Sequence, residues 1–281
     1  MRHSLFLALV AVIALPLIAD DASGQFTASK HSPITPKYAA AFETRDQRDA
    51  RKRVVEVVLS EAPIDANAAI AEIDPHSNVI NQPALNGHNY ILLWVRPNND
   101  VSMNATYSEN MTQFVDMTPG SLQAQISELT PDRVAGRLFT TKSIKTMDGE
   151  TYSLDVKFAT PIARSSGATK LPAGGGEPGK ALTSLFSAIS KKNWAAIKSN
   201  VTAKNVESFD DLNDALQSFN MFLPKKAGKI TGGELRGDSA ILEMEADYFE
   251  GQPGLFLVKM LKSGDRWQFD RATRAGLIDS K

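Results

Sequence analysis

No cysteine occurs anywhere in the 281 residues. Disulfide staples, thiol catalysis and a lipid-anchored N-terminal cysteine are therefore excluded, and the fold must rest on its hydrophobic cores. Histidine is nearly as scarce. His3, His31, His76 and His88 are all there is, and none stands two or four residues from another. The spacing that lets neighbouring side chains share a metal ion is missing, so no metal or cofactor is expected. An excess of one charge is also lacking: the net charge is −1. From Gln25 to Arg164 there are 14 Lys+Arg against 16 Asp+Glu, and from Glu177 to Lys281 15 against 14. Neither half has the cationic surplus that draws a chain to nucleic acid or to an anionic membrane. No G-x-S-x-G elbow is present, and a Ser-His-Asp site would have to be assembled from distant loops.

Long hydrophobic runs are missing too, with one exception. Arg2 and His3 precede an apolar run from Leu5 to Ile18, too short for a comfortable membrane span, and Ala22-Ser-Gly24 places small residues ahead of Gln25. Residues 1–24 read as a secretory signal peptide, which leaves no membrane segment after cleavage and places the mature chain in the periplasm or outside the cell. A retained N-terminal anchor is the alternative.

The chain is organised around Ser165–Gly179, which holds five glycines and two prolines in fifteen residues. Such a segment buries too little to offset the entropy of ordering it and reads as a linker between two domains. Within it, Gly174 to Lys180 has the spacing of a phosphate-binding loop, G-x-x-x-x-G-K. Ala181 stands where the hydroxyl is needed, Pro178 removes an amide, and no strand is expected at Lys170-Leu-Pro172, so the linker reading is preferred.

Ahead of the linker, residues 25–52 read as a polar tail, mobile to about Thr44. The basic run Arg45–Arg53 is either a site for an acidic surface or polyanion, or a solvated helical turn leading into a strand. Residues 53–164 carry strand patterns at Val54–Leu59, Tyr90–Val95, Val101–Tyr107, Ser121–Leu129, Val134–Thr141 and Tyr152–Ala159, with one short helix within Asp65–Ile73. Strict alternation in the last, with Tyr152, Leu154, Val156 and Phe158 on one face, argues for antiparallel sheet with one wet side. A β-sandwich is expected, with an open barrel as the alternative. His31, His76 and His88 fall in loop-like sequence and read as surface histidines. Met103, Met111 and Met117 read as core filling rather than a copper site.

Residues 180–281 change period. Apolar residues recur at helical spacing from Ala181 to Ile189, a short helix follows over Asn193–Ser199, and a third is expected over Ser208–Phe219 with Ser208 as its N-cap. Strands are expected at Gly228–Arg236, Ser239–Tyr248, Leu255–Lys262 and Trp267–Ala272. The helix Ala181–Lys191, the segment Lys192-Asn-Trp-Ala-Ala-Ile-Lys198 and the ending Phe256-Leu-Val-Lys-Met-Leu-Lys-Ser-Gly-Asp-Arg-Trp-Gln-Phe269 resemble the NTF2-like superfamily, especially its small exported bacterial members. The resemblance covers about Gly179–Leu277. It implies an α+β cystatin-like cone with helices on a curved antiparallel sheet, enclosing a cavity lined by Leu185, Phe186, Phe219, Tyr248, Phe256 and Trp267. The same residues also read as simple core. Family members include apolar-ligand binders, isomerases, dehydratases and interaction modules, so the fold does not choose among them. Enzymatic members place Asp, His or Tyr in the cone, and here no histidine follows His88. Glu243, Glu245 and Asp247 share one strand face opposite Leu242, Met244 and Ala246, and are expected in water. Tyr248, Asp270 and Asp214 are the remaining acid–base candidates. The expected function is an exported, non-enzymatic binding protein whose partner is an envelope protein or a small apolar ligand. The alternative is an isomerase, dehydratase or hydrolase working in the cone.

Overall fold

The computed structural model describes residues 22–109, 111–115, 121–147, 149–249 and 251–279. The segment read as a signal peptide lies almost wholly outside them, as does Met117. Ala22–Gly24 open the first strand.

The first half is one large curled sheet. Its strands are β1 (Ala22–Ala28), β2 (Tyr38–Asp46), β3 (Asp49–Ser60), β4 (Tyr90–Val95), β5 (Val101–Tyr107), β6 (Thr112–Val115), β7 (Leu122–Leu129), β8 (Arg133–Thr140), β9 (Ile144–Lys145) and β10 (Thr151–Ala163). They run in the order β6-β5-β4-β3-β2-β10-β8-β7, with β1 and β9 also paired to β10. The long strand β10 joins the two flanks. Its beginning and middle pair antiparallel with β1 and β8, and its end pairs parallel with β2 at Ile162–Ala41. The flanks curl toward each other over one core that includes Phe26, Leu59, Ile91, Leu93, Leu138, Val156 and Phe158. A β-rich body of this kind fits the β-sandwich expectation, and the alternation of β10 holds, with Tyr152, Leu154, Val156 and Phe158 all buried.

Residues 25–44 are not a tail. Phe26 is completely buried among the rings of Tyr107, Phe114 and Tyr152, so β1 is part of the core. The strand lies so close to β10 that a Cβ on Gly24 would sit 2.0 Å from the Asp155 carbonyl oxygen. Its apolar residues are spaced too widely by polar ones for the sequence alone to reveal a strand. The basic run is likewise no helical turn: Arg45 lies near the end of β2 and Arg51–Arg53 near the start of β3, across a tight hairpin.

The outer face of β2, β3 and β4 is covered by α1 (Ala66–Ile70), α2 (Pro75–Ile80) and a 3-10 turn at Pro83–Leu85. The expected short helix is α1, started by Asp65, whose side chain accepts from the Ala68 amide. Asp74 caps α2 in the same way, with Pro75 in the first turn, where its missing N–H costs nothing.

The second half has β11 (Thr169–Leu171), α3 (Gly176–Ser190), α4 (Trp194–Asn200), α5 (Ala203–Glu207), α6 (Leu212–Phe222), β12 (Lys229–Arg236), β13 (Ser239–Phe249), β14 (Gln252–Ser263) and β15 (Arg266–Leu277). The five strands form a sheet in the order β11-β12-β13-β14-β15. Here the cone expectation is overturned. The protein is mostly β, 49% strand against 21% helix, and its helices are few and small. The helical spacing of residues 181–219 does appear as α3, α4 and α6, but these helices cover only one face of the sheet. The helices lie on one face of the sheet, over Leu242, Met244, Phe256 and Val258. The opposite face, with Ile241, Leu255 and Leu257, is closed by Ala50 and Ile73 of the first half. This sheet is a layer covered on both sides, not an α+β cone around a cavity. The N-cap of α6 is Asp211, whose side chain accepts from Asn213 and Asp214, rather than Ser208.

Much of the expected linker is ordered by pairing. Thr169–Leu171 align with Leu235–Gly233 as an edge strand, and α3 already begins at Gly176. A strand therefore does precede the phosphate-loop-like spacing, but the objections from Ala181 and Pro178 stand. Gly175, at φ +69, turns the chain into α3, and the Gly174 oxygen comes so near Gly179 that a Cβ there would meet it at 1.9 Å. Residues 164–168 and 172–175 remain outside regular structure. Light trypsin treatment is expected to cut first at Arg164, because exposed irregular backbone enters a protease cleft and paired strand does not. A first cut at Lys170 or Lys180, read by mass, would contradict this. Among the described residues no helix is long and apolar enough to cross a membrane.

Candidate binding cleft between the two sheets

The residues expected to line a cavity do come together, but as packing. Leu185, Phe186, Phe219 and Phe256 are buried in one core cluster, and Tyr248 and Trp267 pack against it partly buried. Phe219 makes edge contacts with Phe209 and Phe269, and Tyr248 lies against Phe256. Trp267 also borders a surface pocket of about 400 Å³ with Lys180, Ser184 and Arg266. The acid–base candidates are occupied elsewhere. Asp214 accepts from the Asp210 amide, Asp270 pairs with Arg271, and the Arg274 guanidinium lies over the Tyr248 ring.

A cleft of about 990 Å³ lies between the two halves instead. One wall is the start of β3 with α1 and α2; the other is β11, β12 and β13. Of the carboxylates expected in water, Glu243 lines it. Glu243 and Glu245 do face away from the helices, but that face meets the basic hairpin. Glu243 is ion-paired to Arg45 and, at 3.3 Å, to Arg53. Arg51 holds Glu245 through two bonds of 2.9 and 3.0 Å. Arg53 also reaches Glu234 at 3.0 Å and Glu43 at 3.5 Å, and Arg236 closes on Glu234 at 2.8 Å. The basic run thus meets an acidic surface within its own chain. Of the three acids only Asp247 remains exposed, accepting from the Gly251 amide. Burial works against ionising Glu234, but Arg236 and Arg53 outweigh it and hold the carboxyl below its ordinary range. Arg51 does the same for Glu245 by hydrogen bonding.

Deeper on the first wall, His76 Nδ1 lies 2.7 Å from Glu56 Oε1. Glu56 sits on β3 among Val54, Val58 and Trp94, with none of its side chain exposed, while 30% of the His76 side chain is open. Burial pushes the Glu56 carboxyl up. Burial opposes charge on His76 as well, but the hydrogen bond and charge of Glu56 prevail and raise it above the ordinary imidazole value. Both shifts favour keeping a proton on the pair, and with Glu56 ionised Nδ1–H is the donor to it. The other carboxylate oxygen is buried without a hydrogen-bond partner, the cross-strand Trp94 indole favouring the carboxylate only as the weakest influence on it. Arg236 Nε is another buried atom without a partner on this cleft.

His76 is therefore not a plain surface histidine. Two signals could have marked it: Glu56 interrupts the apolar run Val54–Leu59, and Asp74-Pro75 starts a helix that carries the ring toward that strand. His31 is mostly buried, stacked on Tyr107 and 3.7 Å from Glu150, whereas His88 is exposed. Among the described residues no cluster of His, Asp and Glu has the form of a metal site. No protein-family model, characterised protein or solved structure matches this chain.

Proposed function

We propose that this is an exported binding protein that takes a polar ligand in the cleft between its two sheets. The carrying observation is the cleft itself, about 990 Å³ in volume and walled by ordered arginine–carboxylate pairs with the Glu56–His76 pair in one wall. Side chains already held by partners lose little freedom when a ligand arrives, which favours binding. Its size falls in the range of small-molecule sites. The filled core around Leu185, Phe219 and Phe256 directs the reading away from an apolar ligand in the second half. Export rests on the N-terminal sequence, Arg2 and the run Leu5–Ile18.

Hydrogen exchange during a small-molecule screen tests the binding site. A true ligand slows exchange on both walls, at Val54–Glu56 and Gly233–Arg236 together. Protection confined to α3–α6 would refute the cleft. Export is tested by the intact mass of protein recovered from the envelope or medium, expected to show a chain starting near Gln25; a full-length mass would refute it.

A further inference from the structure

The walls of the cleft carry Lys/Arg and Asp/Glu in nearly equal number, so the site as a whole favours neither an anion nor a cation. The charges are mostly spent on one another. Arg53 is shared among Glu43, Glu234 and Glu243, and Arg236 is bonded both to Glu234 and to the Ile70 carbonyl. A strongly charged ligand would have to break these pairs and leave a partner unsatisfied, a penalty of several kcal/mol for buried groups. A neutral group that both donates and accepts meets no such penalty. Paired carboxylates keep spare lone pairs, and paired guanidinium groups keep spare N–H bonds. The group that donates and accepts from one atom is the hydroxyl.

His76 adds direction. Glu56 fixes the ring through Nδ1, and the partly open ring borders the cleft, so Nε2 is the nitrogen left for a ligand. Ile70, Ile73 and Leu257 supply apolar lining for C–H surface. From this alternation of held donors and acceptors over an apolar floor, we infer that the cleft binds a neutral polyhydroxylated ligand, an oligosaccharide of a few rings. This inference rests on the cleft being the binding site.

The test is titration calorimetry of the whole protein with four neutral probes: cellotetraose, maltotetraose, xylotetraose and tetra-N-acetylchitotetraose. At least one is expected to bind with a Kd between about 10 μM and 1 mM. Raising the salt from about 0.1 to 0.5 M is expected to change that Kd less than about twofold, since no net charge is neutralised. His76→Ala is expected to weaken binding at least about tenfold. That variant leaves the buried Glu56 without its partner, so a second one guards against misfolding. Gly232 borders the cleft and aligns with Glu243, and a Cβ there meets nothing closer than the Leu171 oxygen at 3.4 Å. Gly232→Leu should fill cleft space in a folded protein and lower affinity similarly. Failure of all four sugars to bind at about 10 mM overturns the inference. Binding unchanged in both variants overturns it too, because the sugar then sits elsewhere. Sodium citrate binding in place of the sugars, lost in Gly232→Leu, overturns the sugar class while leaving the cleft as the binding site.

Discussion

His76→Ala is expected to lower stability by about 3–5 kcal/mol at about pH 6.5, the range for removing one partner of a buried charged pair. Glu56 is fully buried, and His76 Nδ1 is its one hydrogen-bonding side chain of normal length. Without the ring, the carboxylate must stay charged in an apolar wall beside Val54, Val58 and Trp94, or take up a proton. The choice makes the loss pH-dependent. A protonated Glu56 in the folded variant, against an ionised one in the unfolded chain, means that the native state binds more protons above the ordinary carboxyl value of 4.5. The variant's stability then falls as pH rises, and acidification from about pH 8 to pH 5 should raise it. The unaltered protein responds at a higher pH. Its His76 is raised above 6.5, so that contribution is whole below 6.5 and disappears as pH rises through the folded value. Urea titrations across pH provide the measurement. If the variant's own stability does not rise between about pH 8 and pH 5, a buried ionisable partner is refuted. Changing both residues to leucine should recover most of the loss, as replacing a whole buried pair often does.

Glu243→Ala is expected to cost about 3 kcal/mol and to loosen the two halves, because one carboxylate serves two arginines across their contact. Arg45 is the reason the effect is large: only 13% of its side chain is exposed, so water cannot replace the lost partner. Arg51→Ala should cost far less than Glu243→Ala, since that arginine is half exposed and its bridge to Glu245 is screened. Asp247→Asn should stay within about 0.5 kcal/mol, its carboxylate being exposed and bonded only locally. Calorimetric unfolding of Glu243→Ala should split toward two transitions, one per half. If Glu243→Ala behaves like Asp247→Asn, the charged contact does not join the halves. Acid should act in the same direction. Glu234 and Glu245 are held below their ordinary values, so their contribution is present above 4.5 and is lost as pH falls through the lowered values. The clamp thus fails on the acid side and the His76–Glu56 pair on the alkaline side, and stability should peak between them.

Local pattern in the sequence carried the elements whose packing partners are close or whose period is strict. Strands β4 and β5, the alternation of β10 and the capped helix α1 stand where propensity and period place them, β4 as an apolar run buried on both faces and β10 by burying every second residue. Elements held by distant partners were decided by tertiary structure. β1 has weak alternation and becomes a strand because Phe26 fills a ring cluster built from residues far along the chain. Thr169–Leu171 pair only because β12 offers an open edge. Period two told correctly that Glu243, Glu245 and Asp247 share a face, but not what covers it. A polar face reads the same whether it meets water or a complementary charged surface, and here the arginines that cover Glu243 and Glu245 are nearly two hundred residues away. The site followed the same rule. Composition alone excluded thiol chemistry, whereas the joining of Glu56 to His76 needed a strand and a helix to pack, since burial is a property of the folded body and not of either residue.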